Sequence, residues 1–160
     1  MREKAKSFAI KAHGDQKYGE QPYIVHLEAL VAHLHDYGEQ AVVMGYLHDV
    51  IEDTAVVYAQ LSSEFGAFIA DGVAILTDEP GRNRKERKTL TYAKMVRVSG
   101  ELELALVVKA ADRLANVQAC VADGKADLLK MYKREHSAFR SAVYRPGLCD
   151  DLWQKLEACF

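Results

Sequence analysis

The sequence predicts an all-α, single-domain helical bundle, because it combines two apolar stripes of helical period with few prolines and no convincing strand pattern. Apolar residues recur at i, i+3, i+4 and i+7 within a segment from about Tyr23 to Asp36, the spacing of a helix that covers a core. A second stripe keeps this period from Leu104 to Gln118, before Asp123-Gly124 ends it, and predicts the longest helix. Only 3 prolines occur among the residues, which favours long helices over short strands with tight turns.

Further helices are expected between and after these two, separated by glycines and one turn. The predicted segments are Glu39 to Glu52, Val56 to Glu64, Phe68 to Leu76, Arg84 to Val98, Lys125 to Arg140 and Asp150 to Phe160. The breaks fall at Gly38, Gly66 and the turn Asp78-Glu79-Pro80-Gly81. No linker, repeat or low-complexity stretch divides residues 1–160, so we expect one globule. Trp153 and its apolar neighbours are expected to pack inside, although an exposed stripe would indicate a subunit contact.

Composition and charge exclude several classes of function. The chain of 160 residues carries 21 basic and 23 acidic side chains, a net charge of −2, so its surface as a whole should not attract nucleic acid or acidic lipid, and neither is expected as a partner. No stretch approaches the roughly 18 uninterrupted apolar residues that span a bilayer. Charged residues interrupt the segment Met1 to Ile10, which therefore lacks the apolar run of a signal peptide. These features, with three cysteines and no Cys-x-x-Cys pair, predict a cytoplasmic protein with reduced thiols and leave its oligomeric state open.

A cluster of ionisable residues interrupts the otherwise core-building segment around residue 50. On a continuous helix, His48, Asp49, Glu52 and Asp53 would all point into one sector about 140° wide. Carboxylates packed this closely repel one another and lose hydration, unless a cation such as a divalent metal compensates them. The competing interpretations are a buried ion pair for His48 and Asp49, and an acidic helix end for Glu52 and Asp53.

Two further residues are candidates to complete a metal site. His26 departs from the pattern of a plain surface helix, and Asp112 interrupts an apolar run in which a bare carboxylate would be costly to bury. With His48 and Asp49 they provide two imidazoles and two carboxylates. This mixed nitrogen and oxygen set suits six-coordinate Mn2+ or Fe2+ better than a closed structural zinc site.

The same pattern indicates hydrolytic chemistry. A metal of this kind acidifies water toward neutrality and so provides a nucleophile. Glu52 and Asp53 lie one turn beyond the proposed ligands and are placed to orient or deprotonate that water. Asn116 follows Asp112 by four residues, so it shares a helix face with it and could hold either the ligand or a substrate oxygen.

An ordered set of motifs resembles the HD-domain alarmone hydrolases, which are the RelA/SpoT-type hydrolase domain and its small stand-alone relatives. The motifs are Ala12-His13, Gln16, Gly19, Pro22-Tyr23, His26, His48-Asp49-Val50-Ile51-Glu52-Asp53-Thr54, Phe65-Gly66, Leu76-Thr77-Asp78 and Lys109-Ala110-Ala111-Asp112-Arg113-Leu114-Ala115-Asn116. A lone His-Asp pair would be a weak signal, whereas this order and spacing is specific. The resemblance runs from about Ala5 to Asn116 and leaves the residues after Lys125 without a diagnostic motif.

The resemblance implies an all-α HD-domain fold in which His26, His48, Asp49 and Asp112 hold one Mn2+. It implies that Glu52 and Asp53 activate water and that Asn116 lies beside the substrate. The implied reaction removes the 3′-pyrophosphate of guanosine tetra- or pentaphosphate, a reaction of the stringent response. A phosphohydrolase acting on another nucleotide, or a sensor that binds the nucleotide without turnover, are the alternatives.

The sequence departs from the family where the nucleotide base is expected. Members usually place an Arg-Lys pair after the Gln, whereas Lys17 and Tyr18 follow Gln16 here, so Tyr18 could stack on the base instead. Ala119 stands where the hydrolases often carry Thr, which removes one possible substrate contact. These differences leave the base specificity open. His13 matches the family pattern, or it only braces the loop that carries Lys17.

Basic residues supply the remaining candidate substrate contacts. The run from Arg82 to Lys88 has five positive side chains and one negative one. It is either a solvated helix start or, as the resemblance implies, a stretch beside the cleft in which Arg84 and Arg87 attract phosphate. Lys109 either extends from the core to water or meets a substrate phosphate.

Overall fold

The protein is described by a computed structural model that covers all 160 residues and confirms the all-α class. The helices are α1 (Arg2–His13), α2 (Ile24–Val31), α3 (Glu39–Leu47), α4 (Val50–Asp53), α5 (Tyr58–Phe65), α6 (Ala67–Leu76), α7 (Arg84–Met95), α8 (Leu104–Ala122), α9 (Ala126–Val143) and α10 (Asp150–Glu157). Short 3-10 turns occupy His35–Tyr37 and Gly100–Glu103. A two-stranded antiparallel hairpin, β1 (Lys17–Tyr18) and β2 (Gln21–Pro22), joins α1 to α2, with Tyr18 opposite Gln21. The hairpin was not predicted, because two-residue strands are too short to show an alternating pattern.

Helix α8 lies at the centre of the bundle and is the longest helix, as its apolar stripe predicts. It packs against α2, α3, α6, α9 and α10. Nearly every residue from Ala105 to Val117 is buried, so neighbours cover this helix on all sides. Three of its buried residues, Lys109, Asp112 and Arg113, are charged. A charge at such a depth requires a compensating partner.

The α3 region differs from its prediction, since one continuous helix was expected there. Helix α3 ends at Leu47, and α4 starts anew at Val50 after Asp49, whose backbone has φ −104° and ψ −1°. The carbonyl oxygen of Gly45 accepts both the backbone N–H of His48 at 3.5 Å and its imidazole Nδ1–H at 2.8 Å. A side chain that bonds to this carbonyl competes with the normal i→i−4 ladder and favours the end of the helix. The prediction that His48, Asp49, Glu52 and Asp53 share one sector of a continuous helix is therefore wrong, because no continuous helix runs through them.

The amino-terminal helix α1 was also not predicted from the periodicity. Only Ala5, Ala9 and His13 of this helix are buried, and these small or polar residues produce a weak apolar stripe. Helix α2 is shorter than expected, since it ends at Val31. Both helices contribute to the site, because they carry the segment on either side of the hairpin.

The carboxyl-terminal helices α9 and α10 close the bundle over α8. Leu152, Trp153 and Leu156 are buried, so the predicted packing role of this stripe is confirmed. Phe139 of α9 contacts the Trp153 ring, with ring centroids 5.3 Å apart. None of the helices combines the length and the apolar character that a bilayer-spanning segment requires.

Candidate metal centre and active-site cleft

Four side chains from α2, the α3–α4 junction and α8 converge on one small volume. His26 Nε2 lies 3.1 Å from Asp112 Oδ1, and His48 Nε2 lies 3.4 Å from the same oxygen. His48 Nε2 also lies 2.9 Å from Asp49 Oδ2, and one ligand atom each from His26, His48 and Asp49 fall within 4.8 Å of one another. Neighbouring ligands about 2.1 Å from one octahedral ion lie roughly 3 Å apart. The separations therefore match a shared six-coordinate cation.

The hydrogen bonds of His48 fix which of its nitrogens faces this volume. Its Nδ1–H donates to the Gly45 carbonyl at 2.8 Å, so Nε2 is the nitrogen that faces the carboxylates and that a metal would bind. Nε2 is buried and makes no hydrogen bond, although two carboxylates approach it. Metal-ligating histidines usually donate the other ring N–H to a carbonyl or carboxylate in this way. The donor set and the unpartnered nitrogen thus fit a divalent metal.

Charge compensation at the centre is incomplete without a cation. Burial raises the pKa of Asp112, but the Lys109 ammonium and His48 outweigh burial and hold that pKa well below its usual range. Lys109 Nζ lies 3.3 Å from Asp112 Oδ2 and is itself buried. Burial lowers the pKa of His48, whereas the carboxylates of Asp49 and Asp112 raise it and prevail. Lys109 therefore offsets one of the two carboxylates, and the field of the other attracts a further positive charge, which is either a proton on His48 or a metal ion.

Hydrogen bonds from neighbouring residues hold both carboxylate ligands in place. Asn116 Nδ2 donates to Asp112 Oδ1 at 3.0 Å, while Asn116 Oδ1 accepts the Tyr18 hydroxyl at 2.6 Å. The Tyr18 ring stacks on His26, with centroids 4.6 Å apart and planes 14° from parallel. The Tyr23 hydroxyl donates to Asp49 Oδ2. The hairpin and the start of α2 therefore brace the metal centre directly.

Glu52 and Asp53 lie at the mouth of the site, on the short helix α4, and both are exposed. Glu52 Oε1 accepts the backbone N–H of Asp78 at 2.7 Å. Asp53 Oδ2 accepts an N–H from Gln16 Nε2 at 3.0 Å. Although Glu52 is open to solvent, the cleft partly desolvates its carboxylate and raises its pKa; the hydrogen bond from the Asp78 N–H opposes this rise, and the carboxylates of Asp49 and Asp78 add to it. Each carboxylate thus has one oxygen engaged and the other available to a ligand or to water.

A polar cleft of about 160 Å³ opens beside these carboxylates. Its lining includes Arg84, held by Glu135 through hydrogen bonds of 2.7 and 3.1 Å, and Lys88, paired with Asp78 at 2.9 Å. Arg113 Nη1 lies 3.2 Å from Oε1 of the same Glu135. The cleft lining therefore combines the carboxylates of the candidate metal centre with three cations, Arg84, Lys88 and Arg113, which together are called the cationic wall; such a distribution suits a phosphorylated ligand.

Most of the residues predicted to act together do line this cleft. Those that line it are Tyr18, His26, Asp49, Glu52, Asp53, Arg84, Lys109, Asp112 and Asn116, and His48 lies fully buried behind them. Lys17 does not line it, because neighbouring residues of a strand point to opposite faces and Tyr18 takes the inward one. Arg87 is half-buried on α7 but also lies outside the cleft lining.

Other cleft residues were not among the predicted site residues. Lys88, Asp78, Arg113 and Tyr132 all line the cavity. Tyr132 is on α9, in the segment without a diagnostic motif, so only the packing of α9 on α7 and α8 brings it to the site. The charged residue Arg113 within the apolar stripe of α8 was a usable signal, for the same reason that Asp112 was.

Comparisons with known proteins agree with this geometry. A family model described as "HD domain" matches residues 23–117. A guanosine-3′,5′-bis(diphosphate) 3′-pyrophosphohydrolase from Haemophilus influenzae is 36% identical over 104 residues, which is 61% of this chain and 15% of that protein. The Aquifex aeolicus protein of the same name is 26% identical over 149 residues, 91% of this chain and 21% of its own length. The chain thus spans about a fifth or less of the length of these relatives.

A solved structure has a similar fold over nearly the whole chain. It is described as a metazoan ortholog of SpoT that hydrolyses ppGpp and plays a role in starvation responses. The two folds superimpose with a TM-score of 0.79 at 22% identity, over 99% of this chain and 93% of that one. The similarity includes α9 and α10, which follow the segment matched by the family model.

Proposed function

The chain belongs to the HD domain family, as its sequence motifs predict, and on this premise we propose that it is a metal-dependent hydrolase of phosphorylated nucleotides. The favoured reaction removes the 3′-pyrophosphate of guanosine tetra- or pentaphosphate. The observation that carries the proposal is the convergence of His26, His48, Asp49 and Asp112 beside two exposed carboxylates in a single cleft. The relatives named as 3′-pyrophosphohydrolases support the choice of substrate.

The metal we propose is Mn2+, with Fe2+ as the next candidate, held by the two imidazoles and two carboxylates of the centre. Mixed nitrogen and oxygen donors with room for water suit these ions. When bound, such an ion supplies Lewis acidity and lowers the pKa of water. Tyr23 and Asn116 keep the carboxylates of Asp49 and Asp112 oriented toward the centre.

The two exposed carboxylates are the proposed proton acceptors. Glu52 has Oε2 available because the Asp78 N–H occupies Oε1, and Asp53 has Oδ1 available because Gln16 occupies Oδ2. A general base contributes most when its pKa lies near the working pH, and the raised pKa of Glu52 fits this requirement better than an ordinary carboxylate. Arg84 and Lys88, which also line the cleft, attract the phosphate groups.

The proposal is tested by turnover of the purified protein loaded with Mn2+. We expect pyrophosphate release from guanosine tetraphosphate, and loss of it in Asp49→Ala and Asp112→Ala. The matched control is Asp127→Ala, because Asp127 is exposed at the start of α9, away from the cleft. Turnover that survives both substitutions and EDTA would contradict a metal-dependent mechanism.

A second candidate substrate is another phosphorylated nucleotide, such as an adenine polyphosphate or a phosphorylated dinucleotide. The observation that favours it is the position of Tyr18, which is the residue expected to contact the base. Its ring stacks on His26 and lines the cleft, whereas Lys17 lies outside the cleft. An aromatic ring stacks on any base, so this arrangement does not select guanine. Catalytic efficiencies across a nucleotide panel decide between the two, since a clear preference for 3′-pyrophosphorylated guanosines excludes this version. Tight binding without turnover under any divalent metal would instead indicate a sensor.

A further inference from the structure

His13, at the end of α1, is a buried polar residue whose position the metal site alone does not explain. Its side chain is only 7% exposed and does not contact the four candidate ligands through hydrogen bonds. Burying an imidazole costs free energy unless its N–H is used. An apolar side chain at this position would avoid that cost. The presence of a histidine is explained if its hydrogen bond serves the site.

The hydrogen bonds around Gln16 determine the tautomer of His13. Asp53 is an acceptor when ionised, so the group of Gln16 that faces it at 3.0 Å is the amide nitrogen. The Gln16 amide oxygen then faces His13 Nδ1 at 2.8 Å and accepts a hydrogen bond from its N–H. The other nitrogen, Nε2, is buried and without a partner, as expected for the lone pair of a neutral ring protonated on Nδ1.

The ring of His13 is itself held in one orientation. It packs on the Tyr23 ring, with centroids 4.4 Å apart and planes 35° from parallel. Tyr23 is fixed in turn by its hydroxyl bond to Asp49. The backbone supports the same loop, because Gln16 N–H bonds to the His13 carbonyl at 3.0 Å and Tyr23 N–H bonds to the Gln16 carbonyl at 3.1 Å. His13 therefore presents a rigid donor to the Gln16 side chain.

We propose that His13 is a positioning residue that fixes, through the Gln16 amide, the orientation of the Asp53 carboxylate at the mouth of the cleft. Without the Nδ1–H donor, the Gln16 amide is free to rotate, and Asp53 loses a directed hydrogen bond on an exposed helix end. The inference rests on the proposed function for its catalytic consequence. Its hydrogen-bond geometry is independent of that function.

The kinetic test is a double-mutant cycle with a conservative rescue. His13→Leu and Gln16→Leu are each expected to lower kcat about tenfold, the lower range for loss of an outer-shell partner, with KM and Mn2+ affinity within about twofold of wild type. Because both substitutions remove the same contact, kcat of the double variant is expected to be lower by about tenfold as well. His13→Asn places an amide N–H near the position of Nδ1, so it is expected to restore kcat to within about threefold.

Several results would overturn the inference. These are multiplicative losses of about a hundredfold in the double variant, an Asn variant no better than the Leu variant, or an unchanged kcat in His13→Leu. A second readout needs no activity: the ring nitrogen shifts of His13, measured by NMR on the metal-free chain, should show the Nδ1-protonated neutral form. An Nε2-protonated ring overturns the inference even in an active enzyme, whereas a wild-type protein without turnover overturns the proposed function.

Discussion

Asp49, Asp112 and Lys109 share the same buried volume with two imidazoles, and their formal charges do not cancel. Lys109 offsets one carboxylate, which leaves one negative charge for a proton on His48 or for a metal. The same lysine was expected either to reach water or to meet a phosphate; the structure pairs it with Asp112 and also places it in the cleft lining, so the phosphate contact stays a prediction. Its first role is therefore electrostatic support of a candidate ligand.

Replacing this lysine should destabilise the metal-free protein more than the metal-bound protein. We expect Lys109→Met to lower the free energy of unfolding by about 3 kcal/mol, since it leaves Asp112 buried without its cation. Mn2+ supplies the missing charge, so the variant should show a larger metal-induced rise in Tm than wild type. Thermal unfolding with and without Mn2+ measures this, with Lys130→Met on the exposed face of α9 as the control. Equal metal-induced shifts in both proteins would contradict this role.

Glu52 should set the acidic limb of the pH–rate profile. A general base works only when deprotonated, so the rate falls as the pH drops through its pKa. Partial burial and the nearby Asp49 and Asp78 carboxylates raise that pKa above its ordinary value of 4.5, which moves the limb toward neutral pH. In Glu52→Gln, kcat should fall by about 10²–10⁴-fold and the remaining rate should lose this limb. The control is Glu20→Gln, because Glu20 is exposed in the turn of the hairpin. If the acidic limb were unchanged in Glu52→Gln, another group would be the general base.

Sequence reasoning at the residue scale was strongest where a charge interrupts an apolar pattern. His26 and Asp112 stand out for this reason, and both converge with His48 and Asp49. Lys88 and Tyr132 lie on helices whose own patterns look ordinary, and only tertiary packing brings them to the cleft. Their participation therefore could not be predicted from local spacing.

At the scale of elements, the amphipathic period located α2 and α8 but not the end of α3. The break between Leu47 and Val50 depends on His48 turning back to the Gly45 carbonyl, a contact without a periodic signature. The break has a functional consequence, because it frees Asp49 from the helix and lets it face the centre beside His48. Convergence of these two side chains thus follows from a helix end rather than from a shared helix face.

Gly45 also lets α3 approach α2 closely. A Cβ at this position would lie 2.7 Å from Leu34 Cδ1 and 3.3 Å from Val31 Cγ2. Gly45→Ala gains about 1 kcal/mol of helix propensity, but overpacking a buried contact costs about 1–3 kcal/mol. We expect a net loss of about 1 kcal/mol in urea unfolding, with the exposed α5 variant Ser63→Ala within about 0.5 kcal/mol of wild type. A stabilised Gly45→Ala would show that these side chains move aside freely.

Glu135 ties three helices together at the cationic wall. It accepts hydrogen bonds from Arg84 of α7 and Arg113 of α8 while lying on α9. Burial raises its pKa, but the hydrogen bond from Arg84 and the charges of Arg113 and Arg84 prevail and lower it. A depressed carboxyl pKa stabilises the fold above the unfolded pKa, and this stabilisation is lost as the pH falls through the folded pKa.

The stability of Glu135→Gln should therefore depend on pH less than that of wild type. At pH 7 we expect the variant to be less stable by about 2 kcal/mol, the value of a charge-assisted hydrogen bond. The difference should shrink as the pH falls below about 4.5, where the unfolded carboxyl protonates. Urea unfolding at pH 7, 5 and 3.5 measures it, and Glu157→Gln in an exposed ion pair should change little. A difference that stays constant with pH would mean that packing, not charge, supports this contact.

For the whole molecule, the central question is whether residues 1–160 unfold as the one domain predicted from the sequence. The family model ends at residue 117, within α8, whereas α9 and α10 bury Phe139 and Trp153 beyond it. Since α8 packs on both parts of the bundle, separating them would expose its apolar surface to water. Unfolding of either part should therefore cause the other part to unfold.

A single Trp allows this coupling to be measured directly. Trp153 lies on α10 and is 3% exposed, so its fluorescence reports the carboxyl-terminal helices, while far-UV circular dichroism reports all helices together. One cooperative domain predicts coincident urea midpoints and equal m values for the two probes. Added Mn2+ should shift both midpoints equally, although no candidate ligand lies on α9 or α10. If the fluorescence transition came at lower urea than the loss of helix, or if Mn2+ did not shift it, α9 and α10 would unfold separately from the rest of the chain. Tyr132 and Glu135 would then belong to a different cooperative unit from the candidate metal ligands.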